Sequence, residues 1–415
     1  MPRVHIPTRV KIWLLPQSGT TLKTYYSLLG VDSSSDLETL RRAYRRLARK
    51  HHPDVSGDPD SHELMSRINE AFKTLSDPVR RAEYDAMLHA GLAGVQSPVE
   101  AHEAKAPLTI KLKLRLKQHK TPIYALSFNP NTGELISSSF DNELLWWNPF
   151  TGAQTRRVKV ESGVISTLQP VDSYGVVAAG AAENVVTVCH VGKQGPEGWR
   201  NTPTEWAACV AISPDGSRVA TGTVRNSVVV SPTAGGAPIF ERKDHAGSVT
   251  AVAWSRDGRY MATGSSDATV KLRNAQTGQV LHTFTALRTT VTAVAFSPDN
   301  RYLVAASADL SVRVFSLADG SLQRVLFGHT KPIEAIAFHP NGWLFATGAR
   351  DGTVGLWNAS NGLGQLHLEA SNRPILSVAF SADGGLLAAG GLDRAVRLWS
   401  LTVNPSRKTE VRQSA

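Results

Sequence analysis

Seven turn positions recur along the chain at a constant spacing of 42 residues, with no insertion or deletion between them: Asp141, Glu183, Arg225, Asp267, Asp309, Asp351 and Asp393. Five of the seven are aspartate. A single globular core leaves no such ruler, because loops of unequal length join its elements. A fixed period belongs to an architecture in which each unit buries its apolar face against the next. Each period runs through an apolar stretch, a Gly/Asp/Asn turn, a second apolar stretch, the acidic turn and an alternating strand. Residues 329–358, HTKPIEAIAFHPNGWLFATGARDGTVGLWN, show it most plainly. Three short β-rich runs are divided there by Pro-Asn-Gly and Arg-Asp-Gly, and a linking strand completes a four-stranded blade.

These residues resemble the WD-repeat family. Six positions past the acidic turn stand Trp147, Cys189, Ser231, Arg273, Phe315, Trp357 and Trp399, so the family's tryptophan survives in three units. Twenty-two before it stand His119, Glu161, Pro203, His245, Leu287, His329 and Ser371. Units one and six keep the whole structural tetrad that the resemblance implies: His119, Ser137, Asp141 and Trp147, then His329, Thr347, Asp351 and Trp357. Each reads as a buried hydrogen-bond chain. A Ser-His-Asp set is contained in it, but the set returns with the period and its hydroxyl gives way to Ala305 and Ala389 elsewhere. That pattern suits a packing element and not a nucleophile. Units two and three, with Glu183 and Arg225 at the turn, depart most from the family.

Seven units need closure. The last supplies runs Ile375–Phe380, Leu386–Ala389 and Ala395–Leu401 and then a polar tail, so it lacks an outer strand. Residues 108–117, LTIKLKLRLK, alternate Leu108, Ile110, Leu112, Leu114 and Leu116 against Thr109, Lys111, Lys113, Arg115 and Lys117, the period of a half-buried strand. Leu116 shares the register of Val158, Phe284, Leu326 and Leu368. This segment is therefore expected to complete the seventh blade and remove an open edge.

Residues 23–87 are helical in pattern. Ser35 and Glu38 read as a capping box before an amphipathic stretch. Leu37, Leu40, Tyr44 and Leu47 fall on one face of it, and Arg41, Arg42, Arg45, Arg46, Arg49 and Lys50 occupy the rest. A second stretch carries Leu64, Met65, Ile68, Ala71, Phe72 and Leu75, with Asp77-Pro78 opening the next. The loop between the two helices of this hairpin contains His52-Pro53-Asp54. TYYSLLGV at 24–31, RRAYRRLARKHHPD at 41–54, INEAFKTLSDP at 68–78 and RRAEYD at 80–85 stand in order, and together they resemble the J-domain (DnaJ-like) family of co-chaperones.

The resemblance implies a partner, a DnaK-type heat-shock chaperone whose ATP hydrolysis the bound loop promotes. It also implies contact residues: His52, Pro53 and Asp54, with Arg41, Tyr44, Arg45 and Arg46 on the preceding helix. Proline fixes the loop after the helix, and a row of cations suits an acidic groove. The plain alternative for that row is a solvated helix face. Val55 stands where many members carry a basic residue. No Gly/Phe-rich segment and no Cys-x-x-Cys follow, so client recruitment or addressing falls to the propeller.

The net charge of +10 looks like a nucleic-acid signal until it is apportioned. Residues 1–22 carry +3, residues 23–87 balance eleven cations against eleven acids, residues 88–118 carry +3, and the ring from 119 to 403 only +2. No focused basic stripe with interleaved aromatics exists, so nucleic acid is not an expected partner. The two cysteines, Cys189 and Cys209, fall at core positions and read as reduced thiols. No apolar run approaches a membrane span, no phosphate loop or metal-ligand spacing is present, and no cofactor is called for. The short run from Val10 to Pro16, broken by Lys11, is too brief for a secretory core, so the chain reads as cytoplasmic.

The expected organisation is thus a multidomain α plus all-β chain: an extension 1–22, a J-domain helical hairpin 23–87, a linker 88–107, a seven-bladed WD-repeat β-propeller 108–403 closed by its N-terminal strand, and a polar tail 404–415. Register breaks mark candidate partner residues on the propeller. Trp206 stands where other units have Pro122, Val164, Ser248, Thr290, Pro332 and Pro374; Phe140 and Arg350 precede the acidic turn; Trp343 occupies a turn otherwise holding Arg259 and Arg301. Packing between blades is the alternative explanation of an odd aromatic. Function is expected to be that of a non-enzymatic co-chaperone recruiting a client or partner through its propeller. The alternative is a WD-repeat scaffold in which the J-like module only docks or packs.

Overall fold

The computed structural model describes residues 26, 29–51, 68, 71–72, 75–76, 81, 85, 108–160, 165–173, 175–182, 185–203, 206–360 and 364–403. The chain divides into two compact units, one within residues 14–105 and the other containing residues 106–415. The extension 1–22, the His52-Pro53-Asp54 loop, the linker 88–107 and the tail 404–415 lie outside the described residues.

In the first unit the described helix, α1, spans Leu37–His51. Its cap differs from the expected one. Asp36 Oδ1, not Ser35, accepts the Thr39 N–H at 2.9 Å, and Glu38 turns to Arg42 at 3.2 Å. A carboxylate at the cap suits the helix N-terminus better than a hydroxyl, because it meets the macrodipole as well as an orphan donor. The buried face is the expected one apart from its first residue: Leu40 is buried and Tyr44 and Leu47 pack half-buried against the same cluster. Leu37 is exposed, while Leu40 and Ala43 are buried with Tyr26, Leu29, Ile68, Ala71 and Leu75.

The second unit is a ring of seven four-stranded antiparallel sheets. In blade 1 the strands are Ile123–Phe128, Leu135–Ser139, Glu143–Trp147 and Gln154–Lys159. The first strand of each blade packs on the first strand of the next, and Ile123–Phe128 of blade 1 packs on Ile375–Phe380 of blade 7, so the ring is closed. The apolar core is divided among the seams between blades.

The closing strand, Leu108–Leu116, pairs antiparallel with Val396–Val403 as the fourth strand of blade 7. It reproduces the outer strands of other blades in detail. Leu116 lies opposite Val396 as Val158 lies opposite Leu144 and Phe284 opposite Val270, and all three outer residues are buried. Its register shift between Leu112 and Leu114 follows the residue opposite Trp399, where blades 1 and 6 shift after the residues opposite Trp147 and Trp357. The shift breaks the simple alternation, and Leu112 is exposed in consequence. Leu116 shares a core cluster with Ile123, Trp147 and Val396, which joins the first described strand of the ring to its last blade. Burial of one leucine stabilises by roughly 2 kcal/mol, and eight of the nine strand residues pair along the edge.

The constant period has a backbone cause. The residue after the turn position is left-handed in every blade where it is described: Asn142, Asn226, Ala268, Leu310, Gly352 and Arg394. At Gly352 glycine is required for a second reason, since a Cβ would lie 2.0 Å from the Ser371 carbonyl oxygen. Blades 2 and 3 do depart from the rest. Blade 2 has long strands, Val176–Ala182, Val185–Gly192 and Gly195–Pro203, joined in part by a tight turn between Gly192 and Gly195. Blade 3 pairs its outer strand, Phe240–Lys243, without the register shift, so Phe240 and not Arg242 fills the seam.

Candidate functional site

On α1 the arginines Arg41, Arg42, Arg45 and Arg46 are all exposed. Arg45 Nε donates to the Arg41 carbonyl at 3.3 Å, and the Arg42–Glu38 pair is open to solvent on both sides, so neither holds its guanidinium in a fixed fork. Tyr44 is placed differently. It is half-buried and stacks on Phe72 with ring centroids 4.3 Å apart and planes inclined by 18°, which makes it a support of the helix pair with one edge left to solvent. His52, Pro53 and Asp54 lie outside the described residues.

A polar lock in this unit was missed from sequence. Tyr26 Oη donates to Asp85 Oδ1 at 2.6 Å and accepts from Arg81 Nε at 3.0 Å, while Arg81 Nη2 reaches the Ser33 carbonyl at 2.9 Å. Burial, then the bond to Asp85, raises the Tyr26 pKa. The three residues belong to the TYYSLLGV and RRAEYD segments, and their conjunction ties the two ends of the unit together. Only the order of the segments hinted at it.

In the propeller the two tetrads are formed. His119 Nε2 and Trp147 Nε1 both meet Ser137 Oγ at 2.8 Å, and His119 Nδ1 lies 3.3 Å from Asp141 Oδ2. In blade 6, His329 Nε2 lies 2.7 Å and Trp357 Nε1 2.8 Å from Thr347 Oγ1, with His329 Nδ1 3.1 Å from Asp351 Oδ2. Ser137 and Thr347 are fully buried, and each hydroxyl bridges a histidine from the segment before the first strand to a tryptophan on the third. Blade 4 forms the same chain with one exchange. His245 meets Thr263 and Asp267 at 2.9 Å each, and Arg273 replaces the tryptophan, its Nε donating to Thr263 Oγ1 at 3.0 Å. The far end of that guanidinium reaches Asp244 at 2.6 and 2.7 Å. Burial holds the His119 and His245 imidazoles below their usual pKa, against the pull of Asp141 and Asp267.

Blades 5 and 7 lack both histidine and hydroxyl, and arginines take their place. Arg313 Nη2 lies 2.9 Å from Asp309 Oδ2, and its Nη1 reaches Ser307 Oγ at 3.0 Å and Ser311 Oγ at 2.5 Å. Burial opposes ionisation of Asp309, but bonds from Arg313, Ser307 and Ser311 outweigh it and bring the carboxyl to about 2. Arg397 meets Asp393 at 2.5 Å in the same register. Neither cysteine is in a disulfide: Cys189 is buried, and burial pushes the Cys209 thiol up to about 12 beside the Val249 carbonyl.

Three of the four candidate partner residues share one end of the ring. Phe140 N–H donates to the Pro122 carbonyl, Arg350 to Pro332, and Val224 to Trp206, so these turns sit side by side with the segments leading into the first strands. Phe140 is 56% and Trp206 54% exposed. Arg350 is exposed and ion-paired with Glu334. Trp343 is not with them. It lies in the turn at the other end of its strand, half-buried against the cluster that holds Leu344 and Trp399. The sequence reading also passed over Val224 and Leu392, which are exposed on the same end as Phe140.

Comparison with known proteins separates the two units. A family model described as DnaJ domain matches residues 24–85. One described as WD domain, G-beta repeat, matches 110–148, 320–358 and 365–400, and one described as anaphase-promoting complex subunit 4 WD40 domain matches 210–297. The 110–148 match begins in the closing strand and ends after Trp147, so one sequence repeat straddles two blades. Among curated relatives, the chaperone protein DnaJ of Methanothermobacter thermautotrophicus is 53% identical over 72 residues, 17% of this chain and 19% of its own. That of Thermosynechococcus vestitus is 52% identical over 73 residues, 18% of this chain and 20% of its own. The curved DNA-binding protein of Escherichia coli strain K12 / DH10B is 54% identical over 66 residues, 16% of this chain and 22% of its own. The chain thus spans about a fifth of the length of these relatives. Among the described residues no helix is long and apolar enough to cross a membrane. The chain carries a DnaJ domain at residues 24–85 followed by a seven-bladed propeller of WD repeats.

Proposed function

We propose that the chain is a co-chaperone whose DnaJ domain stimulates ATP hydrolysis by a DnaK-type heat-shock chaperone and whose propeller brings a client or partner to it. The observation that carries the reading is the DnaJ-domain match over 24–85, with an intact His52-Pro53-Asp54 in sequence and four exposed arginines on the helix before it. Exposed cations of this kind speed encounter with an acidic surface and lose effect in salt. In this reading the chain works in the cytoplasm and performs no catalysis of its own; the hydrolysed nucleotide belongs to the partner.

The test is single-turnover ATP hydrolysis by a DnaK-type chaperone of the same organism. The intact protein is expected to accelerate it, His52→Gln to abolish the acceleration, and Arg45→Glu with Arg46→Glu to weaken it most at low salt. If the intact protein and His52→Gln behave alike, the DnaJ domain acts only as a docking module and the propeller is a scaffold.

A further inference from the structure

At three seams the glycine between a blade's third and fourth strands rests on a side chain of the preceding blade's outer strand. Gly152 sits on Leu114 and Leu116, Gly278 on Phe240, and Gly320 on His282, where an added Cβ would lie 2.4 Å from the imidazole. Phe240 and His282 hold the same register, opposite Val230 and Leu272. The phenyl ring is buried and fills the seam of blades 3 and 4. In the seam of blades 4 and 5 the smaller, exposed imidazole borders a groove of about 970 Å³, within the size range of small-molecule sites.

Several groups lining this groove have bonding capacity left. The hydroxyls of Tyr260 and Tyr302 and both nitrogens of His282 have no hydrogen-bond partner among the described residues. Arg259 and Arg301 line it with side chains 78% and 77% exposed, each loosely paired with the aspartate two residues earlier, at 3.7 and 3.5 Å. The acids are engaged. Asp257 accepts from Ser255 Oγ at 2.7 Å and, across the seam, from Asn300 Nδ2 at 2.9 Å, and Asp319 accepts from Ser321 Oγ at 2.8 Å. The backbone N–H groups of Arg259, Arg301 and Gly320 are bonded within their own turns, so recognition falls to side chains.

This chemistry narrows the ligand. Two guanidiniums meet two carboxylates in the lining, so net charge steers neither an anion nor a cation into it. An apolar ligand would strip water from two phenols and an imidazole without replacing its bonds. A sugar hydroxyl donates and accepts through one atom, as a phenol does, and the C–H faces of a sugar ring pack on aromatic rings such as Tyr260 and Tyr302. A second groove, of about 620 Å³, shares Asp257, Arg259 and Tyr260 and continues to Arg218 of blade 3. The joined track holds one arginine more than it holds aspartates. Arg218 is itself engaged, 5.2 Å from the Trp254 ring centre and donating to the Ala275 carbonyl at 3.0 Å. A track of this form suits a chain of sugars better than a single one.

We propose that the track across blades 3, 4 and 5 binds a neutral oligosaccharide, its hydroxyls bonded by Tyr260, Tyr302, His282, Arg259 and Arg301 and its ring faces packed on the tyrosines. This goes beyond the co-chaperone reading and does not depend on it. The unpartnered hydroxyls and imidazole orient the sugar, and a ligand without charge makes binding insensitive to salt.

Isothermal titration calorimetry of the full chain with maltoheptaose, cellohexaose, xylohexaose and mannohexaose, at low and at high salt, tests it. At least one of the four is expected to bind, with the same affinity at both salts. Tyr260→Phe and Tyr302→Phe each delete only an oxygen and should each weaken binding roughly three- to tenfold. Arg259→Ala with Arg301→Ala, at exposed side chains that do not support the fold, should weaken it roughly tenfold. His282→Phe introduces the ring that blade 3 already carries and should weaken binding while the thermal midpoint holds. Ala308→Ser, at the other end of the ring, should change nothing. If none of the four sugars binds, or if a bound sugar ignores the tyrosine and arginine variants, the proposal falls. It falls also if ATP binds through Arg259 and Arg301 more tightly than any sugar and with steep salt dependence, or if a random-peptide library, and no sugar, yields ligands that depend on Tyr260. Stimulation of ATP hydrolysis is read separately and is untouched by any of these outcomes.

Discussion

Blades 6 and 5 solve one problem with opposite chemistry. Each must bury an aspartate that holds a left-handed turn. Blade 6 surrounds Asp351 with His329, which passes its second nitrogen to Thr347 and on to Trp357. Blade 5 has Leu287 and Ala305 at the histidine and hydroxyl positions, and sends Arg313 back from four residues on. The first network is a chain of bonds between strands, and the second is a charge pair inside one turn. The difference teaches where each blade is vulnerable. Removing the guanidinium leaves a carboxylate without its counter-charge, whereas breaking the chain leaves neutral donors unmet. Arg313→Met should therefore be the most damaging change, destabilising the propeller by about 3 kcal/mol. The side chain of Asp309 keeps 20% exposure, which softens the loss. Adding Asp309→Asn should restore most of it in denaturant melts; a double variant no better than the single one would break the comparison.

Thr347→Val comes next. It keeps the volume and deletes the oxygen shared by His329 Nε2 and Trp357 Nε1, so two buried polar nitrogens lose their partner at once. A cost of about 2 kcal/mol is expected. Thr347→Ser should cost much less, because the hydroxyl alone is what the chain needs, as Ser137 shows in blade 1.

Acid should sharpen the contrast. His367, 5.3 Å from the His329 ring and 5.1 Å from that of Trp357, is lowered from 6.5 to about 4 by burial first and by His329 second. The folded protein keeps this ring neutral, so the unfolded chain binds the proton more readily. Its contribution is complete above pH 6.5 and is lost as pH falls from 6.5 toward 4. Blade 5 has Val325 in that register. His367→Val should flatten the decline of thermal stability across this window, by roughly 1–2 kcal/mol at its acid end. Parallel curves for the two proteins would count against a neutral His367.

The constant period made the number of blades, the turns and the closing strand legible, because strand length and turn type leave a periodic trace. The tetrads were legible for the same reason. The arginine substitutes were not, since Arg313 and Arg397 fall outside the registers that define the tetrad and only the fold returns them to Asp309 and Asp393. Blade 2 hid its long hairpins behind an unchanged repeat length: residues moved from loop to strand without altering the period. Of the candidate face, Trp206 and Phe140 stood out as large residues among small ones. Leu392 and Val224 did not, because only the fold shows that they share an end of the ring with Phe140. In the DnaJ domain the segments were readable, but the Tyr26–Arg81–Asp85 lock joins residues far apart in sequence.

Blade 7 offers the finest test, because it repeats the solution of blade 5 incompletely. Arg397 pairs with Asp393, yet its Nη1 is buried and has no partner, whereas Nη1 of Arg313 is held by Ser307 and Ser311. The missing hydroxyls correspond to Gly391 and Ala395. Gly391 cannot be changed cheaply, since a Cβ there would lie 2.0 Å from the Pro374 carbonyl oxygen. Ala395 can be: Ser311 occupies its register in blade 5 without disturbing the turn. Ala395→Ser should give the orphaned nitrogen an acceptor and raise stability by about 0.5–1 kcal/mol. The gain should disappear in an Arg397→Met background. A gain that persists there would mean that the hydroxyl works through the backbone, and the two arginine blades would not share one chemistry.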